Sequence, residues 1–200
     1  MARRSDHTRE ELYDMALQAA RLIVEEEGLE QLSTRRIAKE IGYSVGTLYN
    51  LFANRDELIL HLNAQTLQAL EQHFVDVIQQ ATTQPYTPQA MATLLDAYLG
   101  FIQKHTRRWR VLIEFSLPEQ VPLPDWYSSQ VEKVLQQVES QMPDLPHTDK
   151  RRAVSVLWSG LHGILTLHGS GKLDAVSQEP VANIAHHFVA TYLKGLTQAI

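Results

Sequence analysis

The sequence contains no cysteine in 200 residues, which excludes disulfide bonds, thiolate metal ligands and thiol redox sensing within this chain. It also lacks any apolar run of about 18 residues, the length at which a segment becomes a candidate membrane span. The N-terminal residues are polar, and no apolar segment of a signal peptide follows them. These absences predict a protein of the cytoplasm that has no membrane partner.

Positive charge is also scarce, with a net charge of -5 and a pI near 6.0. The first sixty residues contain eight Lys or Arg and eleven Asp or Glu, so this part of the chain is acidic as well. Overall charge therefore gives no support to nucleic-acid binding. Any affinity for a polyanion must come from a few basic groups placed on one face, such as Arg35, Arg36 and Lys39.

Sequence motifs of common enzyme classes are absent too. The chain has no HExxH, no GxSxG, no P-loop and no dinucleotide-binding glycine pattern. His186 and His187 are adjacent, so on a helix they point to different faces and do not form a pair of metal ligands. We therefore expect no enzymatic activity, no metal site and no cofactor.

The most informative stretch is residues 32–59. Ser33 or Thr34 can cap a short helix whose buried face carries Ile37, Ala38 and Ile41. A tight turn at Gly42 follows, and a second short helix can start at Ser44. This order of helix, turn and helix is how a helix-turn-helix presents one helix to the major groove of DNA.

The second short helix has an inward and an outward side. Leu48 and Phe52 are spaced to reach the core. Asn54 can cap the next, longer helix, with Glu57 returning a bond to the cap backbone. The residues expected to face outward are Val45, Gly46, Thr47, Tyr49 and Asn50.

Residues 8–58 resemble the TetR family of bacterial transcriptional regulators. The family pattern appears here as Ile37-Ala38, Gly42, Ser44, Thr47-Leu48-Tyr49, Phe52, Arg55 and Glu57-Leu58. Two positions depart from it: Tyr43 stands where Val or Ile is usual, and Leu51 stands where the family often has His. Neither departure breaks the pattern.

The resemblance implies roles for individual residues. Thr34 and Tyr49 would hold phosphates, Arg55 would anchor the DNA backbone, and Arg35 would reach a base. Side-chain chemistry agrees, since Arg pairs with guanine, Asn50 with adenine, and Thr47 or Val45 with a thymine methyl, while Gly46 permits close approach. The predicted DNA-binding set is Thr34, Arg35, Ser44, Val45, Gly46, Thr47, Tyr49, Asn50 and Arg55. Arg3 and Arg4 either follow a groove or form a solvated tail.

Beyond residue 54, every segment between Pro- and Gly-rich breaks has helical periodicity, and none alternates as a strand does. The sequence therefore predicts an all-α fold of about nine helices. We expect residues 1–53 to form a helix-turn-helix DNA-binding domain, a three-helix bundle that is marginal alone. Residues 54–200 would form a larger helical domain for effector binding and dimerisation.

The last two predicted helices carry apolar residues on more than one face, and such a helix needs two partners. The resemblance implies that they pair with their copies in a homodimer, which would place two DNA-binding domains about one DNA turn apart. A purely intramolecular core is the alternative. The predicted interface consists of Val154, Trp158, Leu161, Leu165, Val181, Ile184, Phe188 and Tyr192.

A pocket for a small-molecule effector is implied by the resemblance rather than by the residues. Candidate lining groups are Phe74, Tyr98, His105, Trp109, Phe115, Trp126, Trp158 and His162. Residues 158–163, with the sequence WSGLHG, also resemble a Trp and His-Gly signature in the C-terminal domain of one TetR subgroup. The two glycines in this segment predict a close helix-helix contact.

Together these expectations predict a ligand-responsive repressor that binds a pseudo-palindromic double-stranded DNA operator as a homodimer and is released by a small molecule. The alternative is a helical adaptor that binds protein and not DNA. In that case Arg35, Tyr49 and Arg55 would be dispensable.

Overall fold

The computed structural model describes residues 7–81, 85–143, 145 and 149–197, and within them it is all-helical. These residues form nine α-helices and no strand, which confirms the predicted fold class. The helices are α1 (Arg9–Glu27), α2 (Thr34–Glu40), α3 (Val45–Tyr49), α4 (Arg55–Gln80), α5 (Pro88–Lys104), α6 (Thr106–Glu114), α7 (Asp125–Gln141), α8 (Lys150–Gly169) and α9 (Val181–Thr197). Short 3-10 helices span Leu29–Gln31 and Leu173–Ala175. No helix in these ranges combines the length and the apolar character that crossing a membrane requires.

The chain divides into two compact units that are not the two predicted domains. The first, here the reader unit, comprises Met1–Gln68 and His105–Gln130. The second, here the bundle unit, comprises Ala69–Lys104 and Val131–Ile200. Helix α4 contributes to both units, and α6 belongs to the reader unit although it lies far along the chain. The functional boundary between residues 53 and 54 stays a prediction.

Helix α1 forms because its start is capped and one face is apolar. The Thr8 side chain accepts a bond from the Glu11 N–H, and the Glu11 side chain accepts one from the Thr8 N–H. Leu22 of this helix lies outside the buried face and is 42% exposed. The buried face consists of Leu12, Ala16, Leu17, Ala20, Ile23 and Val24.

Helices α4 and α6 complete the core of the reader unit. Ile37 of α2 and Leu48 of α3 pack in one cluster with Leu58 and Ile59 of α4 and with Val111 of α6. All five are 3% exposed or less. Three short helices of about fifty residues bury too little surface to be stable alone, and these two further helices supply the missing apolar surface.

The core of the bundle unit joins α5, α7, α8 and α9. Helices α8 and α9 approach closely at Gly160 of α8, where a Cβ added to the glycine would lie 2.2 Å from the Phe188 ring. The predicted close contact is thus confirmed for Gly160 within the chain. A Cβ at Gly163 would meet no described atom within 4 Å.

Candidate nucleic-acid interface and apolar cavity

Serine side chains cap the N-termini of helices α2 and α3. The Ser33 hydroxyl accepts a bond from the Arg36 N–H, and the Ser44 hydroxyl accepts one from the Thr47 N–H, both at 3.2 Å. Between the helices, Gly42 adopts φ +74°, and the Tyr43 N–H donates to the Ala38 carbonyl at 2.9 Å. This left-handed end of α2 requires Gly because a Cβ would be strained there.

The outward side of α3 is largely as predicted. Tyr49 is 55% exposed, and Gly46 and Asn50 are also exposed. Thr47 is half-buried, with its hydroxyl 3.0 Å from that of Ser44. Val45 differs from the expectation because it packs partly against the core of the reader unit, as the first residue of a five-residue helix.

The basic residues near α2 are in different electrostatic states. Arg35 is exposed, and its guanidinium has no ion-pair or hydrogen-bond partner within the described ranges. The neighbouring Arg36 forms ion pairs with Glu27 at 2.8 Å and with Glu40 at 3.0 Å. Of these two adjacent cations, only Arg35 is left to interact with an external anion.

Arg55 and Arg9 tie the reader unit together through backbone carbonyls. Arg55 donates from Nε to Leu32 O at 3.2 Å and from Nη2 to Leu29 O at 3.4 Å. Arg9 donates from Nη2 to Asn50 O at 3.4 Å, next to the end of α3. Arg55 is exposed, so a contact with the DNA backbone stays a prediction beside this internal role. Thr34, half-buried, starts α2. Arg3 and Arg4 lie outside the described residues.

A buried cation in the reader unit was not foreseen from the sequence. Arg108 of α6 is 6% exposed, bonds the Thr66 hydroxyl at 3.2 Å and pairs with Glu25 at 3.5 Å. Burial lowers its pKa, and the charge of Glu25 opposes that shift. A signal existed, because Arg108, Val111 and Phe115 recur at the spacing of one buried helix face.

The bundle unit contains a narrow apolar cavity of about 40 Å³. None of its lining side chains carries a charge. They are Phe74, Met91, Leu94, Leu95, Tyr98, Val138, Val154, Leu157, Trp158, Leu161 and Val189. Three of the eight predicted pocket residues are thus lining groups, and a fourth, His162, lies against two of them: its ring centroid is 4.1 Å from that of Trp158.

The other four predicted pocket residues belong to the reader unit and do not line this cavity. Trp126 stacks on His61 with ring centroids 4.3 Å apart, and Phe115 packs against the core of α1 to α4. Trp109 is buried on α6, and His105 immediately precedes that helix. The sequence analysis assigned them to the pocket because a sequence does not show which core a large aromatic residue joins.

Polar groups at the cavity form one hydrogen-bonded chain. His162 Nδ1 lies 2.8 Å from the Trp158 carbonyl oxygen, and its Nε2 lies 3.2 Å from the Tyr98 hydroxyl. Burial lowers the pKa of His162, although the Trp158 carbonyl opposes the shift. His162 is therefore a satisfied, neutral histidine at neutral pH.

The predicted dimer residues fall into two groups. Val154, Leu161 and Leu165 are 1%, 9% and 6% exposed in the single chain, so they belong to its own core and have little surface to offer a second copy. Their assignment to a dimer interface stays a prediction, and Val154 and Leu161 pack on neighbouring helices of the same chain. The partly exposed remainder is Trp158, Val181, Ile184, Phe188 and Tyr192.

Two family models match this chain. The model of bacterial regulatory proteins of the tetR family covers residues 16–62, which include α2 and α3. A model described as the tetracyclin repressor-like C-terminal domain covers residues 91–192, just over half of the chain. The chain belongs to the TetR family. Its α2 and α3 lie within the part that the model of bacterial regulatory proteins matches.

Relatives of this TetR protein match part of its chain. The nucleoid occlusion factor SlmA of Glaesserella parasuis serovar 5 (strain SH0165) is 28% identical over 96 residues, which are 48% of this chain and 46% of that protein. A helix-turn-helix-type transcriptional regulator of Staphylococcus aureus (strain USA300) is 36% identical over 58 residues, 29% of this chain and 31% of that protein. These matches thus span less than half the length of either relative.

Solved structures share the fold over nearly the whole chain. A TetR transcriptional regulator from Rhodococcus sp. RHA1 has a TM-score of 0.68 at 16% identity and covers 96% of this chain and 100% of its own. FadR from Bacillus subtilis, in complex with stearoyl-CoA, has a TM-score of 0.66 at 14% identity. That match covers 94% of this chain and 99% of the FadR chain. RolR in complex with resorcinol has a TM-score of 0.63 at 15% identity. That match covers 94% of this chain and 88% of the RolR chain.

Proposed function

We propose that this TetR protein is a ligand-responsive repressor that binds a pseudo-palindromic operator as a homodimer and is released by a small molecule. One observation carries the DNA-binding part of the proposal. Arg35, Tyr49 and Asn50 are exposed around two capped helices, and Arg35 is unpaired within the described ranges while the adjacent Arg36 is neutralised by two carboxylates.

The exposed groups divide by the chemistry of their targets. Arg35 offers a bidentate fork to guanine, Asn50 suits the edge of adenine, and the methyl groups of Thr47 and Val45 suit thymine. Gly46 leaves room for the helix to approach the DNA. The hydroxyls of Thr34, Ser44 and Tyr49, together with the Nη1 side of Arg55, would contact phosphates and fix the register.

Internal ion pairs explain how an acidic chain can carry such a surface. Glu27 and Glu40 are paired with Arg36, and Glu25 is paired with Arg21 and Arg108. These pairs neutralise part of the negative charge beside α2 before DNA arrives. Few cations remain for phosphates, so non-specific affinity should be modest.

The proposed homodimer uses the outward face of α8 and the partly exposed residues of α9. On α8, Val156 and Leu167 are 44% and 43% exposed. The hydroxyls of Ser155 and Ser159 donate to the carbonyls of Arg151 and Ser155 at 2.9 Å. Because these donors are satisfied within the helix, a second copy can cover this face without leaving them unpaired.

The effector part of the proposal is supported by the apolar cavity and by two structural neighbours that were crystallised with small molecules. We also propose membership of the subgroup with the Trp and His-Gly signature, since Trp158 lines the cavity and His162 orients its polar chain. A ligand there acts only through unequal affinity for the DNA-binding and released states. As a regulator of chromosomal DNA, the protein would work in the cytoplasm and without enzymatic activity.

A gel shift with DNA from upstream of the gene tests the DNA-binding part. Arg35→Ala should weaken binding by about 1 to 3 kcal/mol, or roughly 5- to 150-fold, and relax the base preference at one position. Arg36→Ala is the matched control and should change operator affinity much less, because its guanidinium is already paired with Glu27 and Glu40. Equal, small effects of both variants would reject the groove model and favour the protein-binding adaptor.

Analytical ultracentrifugation tests the dimer. Ser159→Arg places a charge in the centre of the outward face of α8 and should yield monomers that bind the operator weakly. Gln136→Arg, which adds the same charge to the exposed face of α7, should leave the dimer intact. A Ser159→Arg protein that remains a dimer would exclude this interface.

A further inference from the structure

We propose that the Tyr43–His7 pair fixes the start of α1 beside α3, so that two basic residues before it contact operator DNA. These residues are Arg3 and Arg4, and they contact the DNA next to the major groove that α3 enters. The inference rests on the proposed DNA binding and adds a second contact region to it. It also gives a role to Tyr43, which stands where the family usually has Val or Ile.

The hydroxyl of Tyr43 joins the turn between α2 and α3 to the residue that precedes the cap of α1. It lies 2.6 Å from His7 Nδ1, a hydrogen-bond distance between residues 36 positions apart. The two rings also meet edge to face, with centroids 5.9 Å apart. Both side chains are half-buried. A Val or Ile at position 43 has no polar side-chain group and could not make this bond.

A second bond holds the start of α1 at the other end of α3. Arg9, the first residue of α1, donates from Nη2 to the Asn50 carbonyl at 3.4 Å. Tyr43 directly precedes Ser44, the N-cap of α3, and Asn50 is its C-cap. Because α3 has only five residues, or about 7.5 Å at the rise of an α-helix, these bonds hold the start of α1 against both of its ends. The chain therefore enters α1 beside the helix that we propose to lie in the major groove.

The length of chain before His7 is sufficient to reach the neighbouring groove. Arg3 precedes His7 by four positions, and an extended chain spans about 3.3 to 3.6 Å per residue, so the two Cα atoms can be up to about 14 Å apart. The major groove of B-DNA is about 12 Å wide. An arginine that starts from the edge of α3 can therefore pass the sugar-phosphate backbone and enter the adjacent minor groove.

Arginine is suited to that groove and scarce in the reader unit. Minor grooves, above all the narrow ones of A·T-rich DNA, have an enhanced negative potential that attracts arginine. Residues 1–60 contain eight Lys or Arg and eleven Asp or Glu. Four of these cations pair with glutamates or donate to backbone carbonyls, namely Arg9, Arg21, Arg36 and Arg55. Arg3 and Arg4 are half of the other four, so the loss of their contact should weaken operator binding measurably.

The salt dependence of operator affinity tests the inference on the full chain. The DNA is the upstream fragment of the gel shift, and affinity is measured between about 50 and 200 mM KCl. Each cation that leaves the DNA reduces the slope of log affinity against log salt concentration by about 0.9. The double variant Arg3→Ala/Arg4→Ala should therefore reduce the slope by about 1.8 for each bound protomer.

Tyr43→Phe tests the positioning role, because it keeps the ring and removes the hydroxyl. We expect it to reduce the slope by about half as much as the double arginine variant or more, and to have no further effect when added to that variant. Tyr13→Phe is the matched control, since Tyr13 of α1 also bonds a histidine of the reader unit, His61, at 2.8 Å. Both tyrosine variants should lose similar stability in thermal unfolding, and only Tyr43→Phe should change the slope.

The outcomes separate this inference from the proposed function. An unchanged slope in Arg3→Ala/Arg4→Ala, while the natural protein binds the fragment, overturns the inference and leaves the proposed function in place. A reduced slope in that variant but not in Tyr43→Phe overturns the positioning role of the Tyr43–His7 pair. An equal reduction in Tyr13→Phe overturns it as well, because the effect is then a general loosening of the reader unit. A natural protein that binds no upstream DNA contradicts the proposed function itself.

Discussion

The two sites of this protein place tyrosine in opposite surroundings. Tyr49 of α3 is 55% exposed, on a helix of five residues whose N-terminus is capped by Ser44. Tyr98 of α5 is 3% exposed, and its hydroxyl is bonded to a histidine from another helix, α8. One site directs polar groups towards solvent, and the other satisfies them internally.

The two sites depend on the rest of the chain in different ways. The α2–α3 surface is made by nearby residues, because bonds between positions three to five apart fix both helices. The cavity exists only where residues far apart in the sequence pack together, such as Phe74, Trp158 and Val189. Local changes should therefore affect DNA binding, and long-range packing changes should affect the cavity.

The largest expected effect comes from truncating one core leucine in each unit. Leu48 and Leu157 are 1% and 3% exposed, so Leu48→Ala and Leu157→Ala should each cost about 2 to 5 kcal/mol of unfolding free energy. Only Leu48→Ala should also weaken operator binding, because Leu48 anchors α3. Urea unfolding and gel shifts, made at a temperature where both variants are folded, measure this. Equal loss of operator affinity in the two variants would break the comparison.

A smaller effect is expected where α8 and α9 touch. Gly160→Ala places a Cβ 2.2 Å from the Phe188 ring, and such overpacking costs about 1 to 3 kcal/mol. Gly100→Ala on the exposed side of α5 meets no described atom within 4 Å and should stabilise the helix by about 0.5 to 1 kcal/mol. Thermal unfolding should show a lower midpoint for Gly160→Ala and a higher midpoint for Gly100→Ala. A stabilised Gly160→Ala protein would refute the contact.

The caps should show the local character of α3. Ser44→Ala and Asp149→Ala each remove an N-cap, from α3 and α8, at a cost of about 1 kcal/mol. Ser44→Ala should also reduce operator affinity, because α3 has few other bonds to orient Tyr49 and Asn50. Asp149→Ala should leave operator affinity unchanged. If a gel shift shows a larger loss of operator affinity in Asp149→Ala than in Ser44→Ala, the cap of α3 does not organise the surface.

The smallest effect is a pH dependence shared by the two units. Burial lowers the pKa of His61 in the reader unit, against the charge of Glu57, and that of His162 in the bundle unit. Unfolded histidine titrates at about 6.5, so this part of the stability is complete above that pH and is lost as pH falls towards the lower folded values. His61→Gln and His162→Gln should each flatten the loss in urea unfolding between about pH 5 and 7. An unchanged pH dependence in both would show that neither ring titrates on unfolding.

The sequence predicted which residues of α3 are exposed better than it predicted the lining of the cavity, for a physical reason. Helical spacing over a few residues places Leu48 and Phe52 inward and leaves Tyr49 and Asn50 exposed. The cavity depends on which helices meet, and no local pattern distinguishes Trp158, which lines it, from Trp109, Trp126 or Phe115, which do not. Val45, expected to face outward, is half-buried because it also packs partly against the core of the reader unit.

The central claim is that the exposed face of α3 meets DNA, and photocrosslinking tests it most directly. Tyr49 and Tyr86 are matched probes, 55% and 53% exposed in the reader and bundle units. Each is replaced by benzoylphenylalanine, and the protein is irradiated with labelled operator DNA. We expect crosslinks from position 49 and none from position 86. Crosslinks from position 86 alone, or none from position 49 while the protein remains bound, would contradict the account.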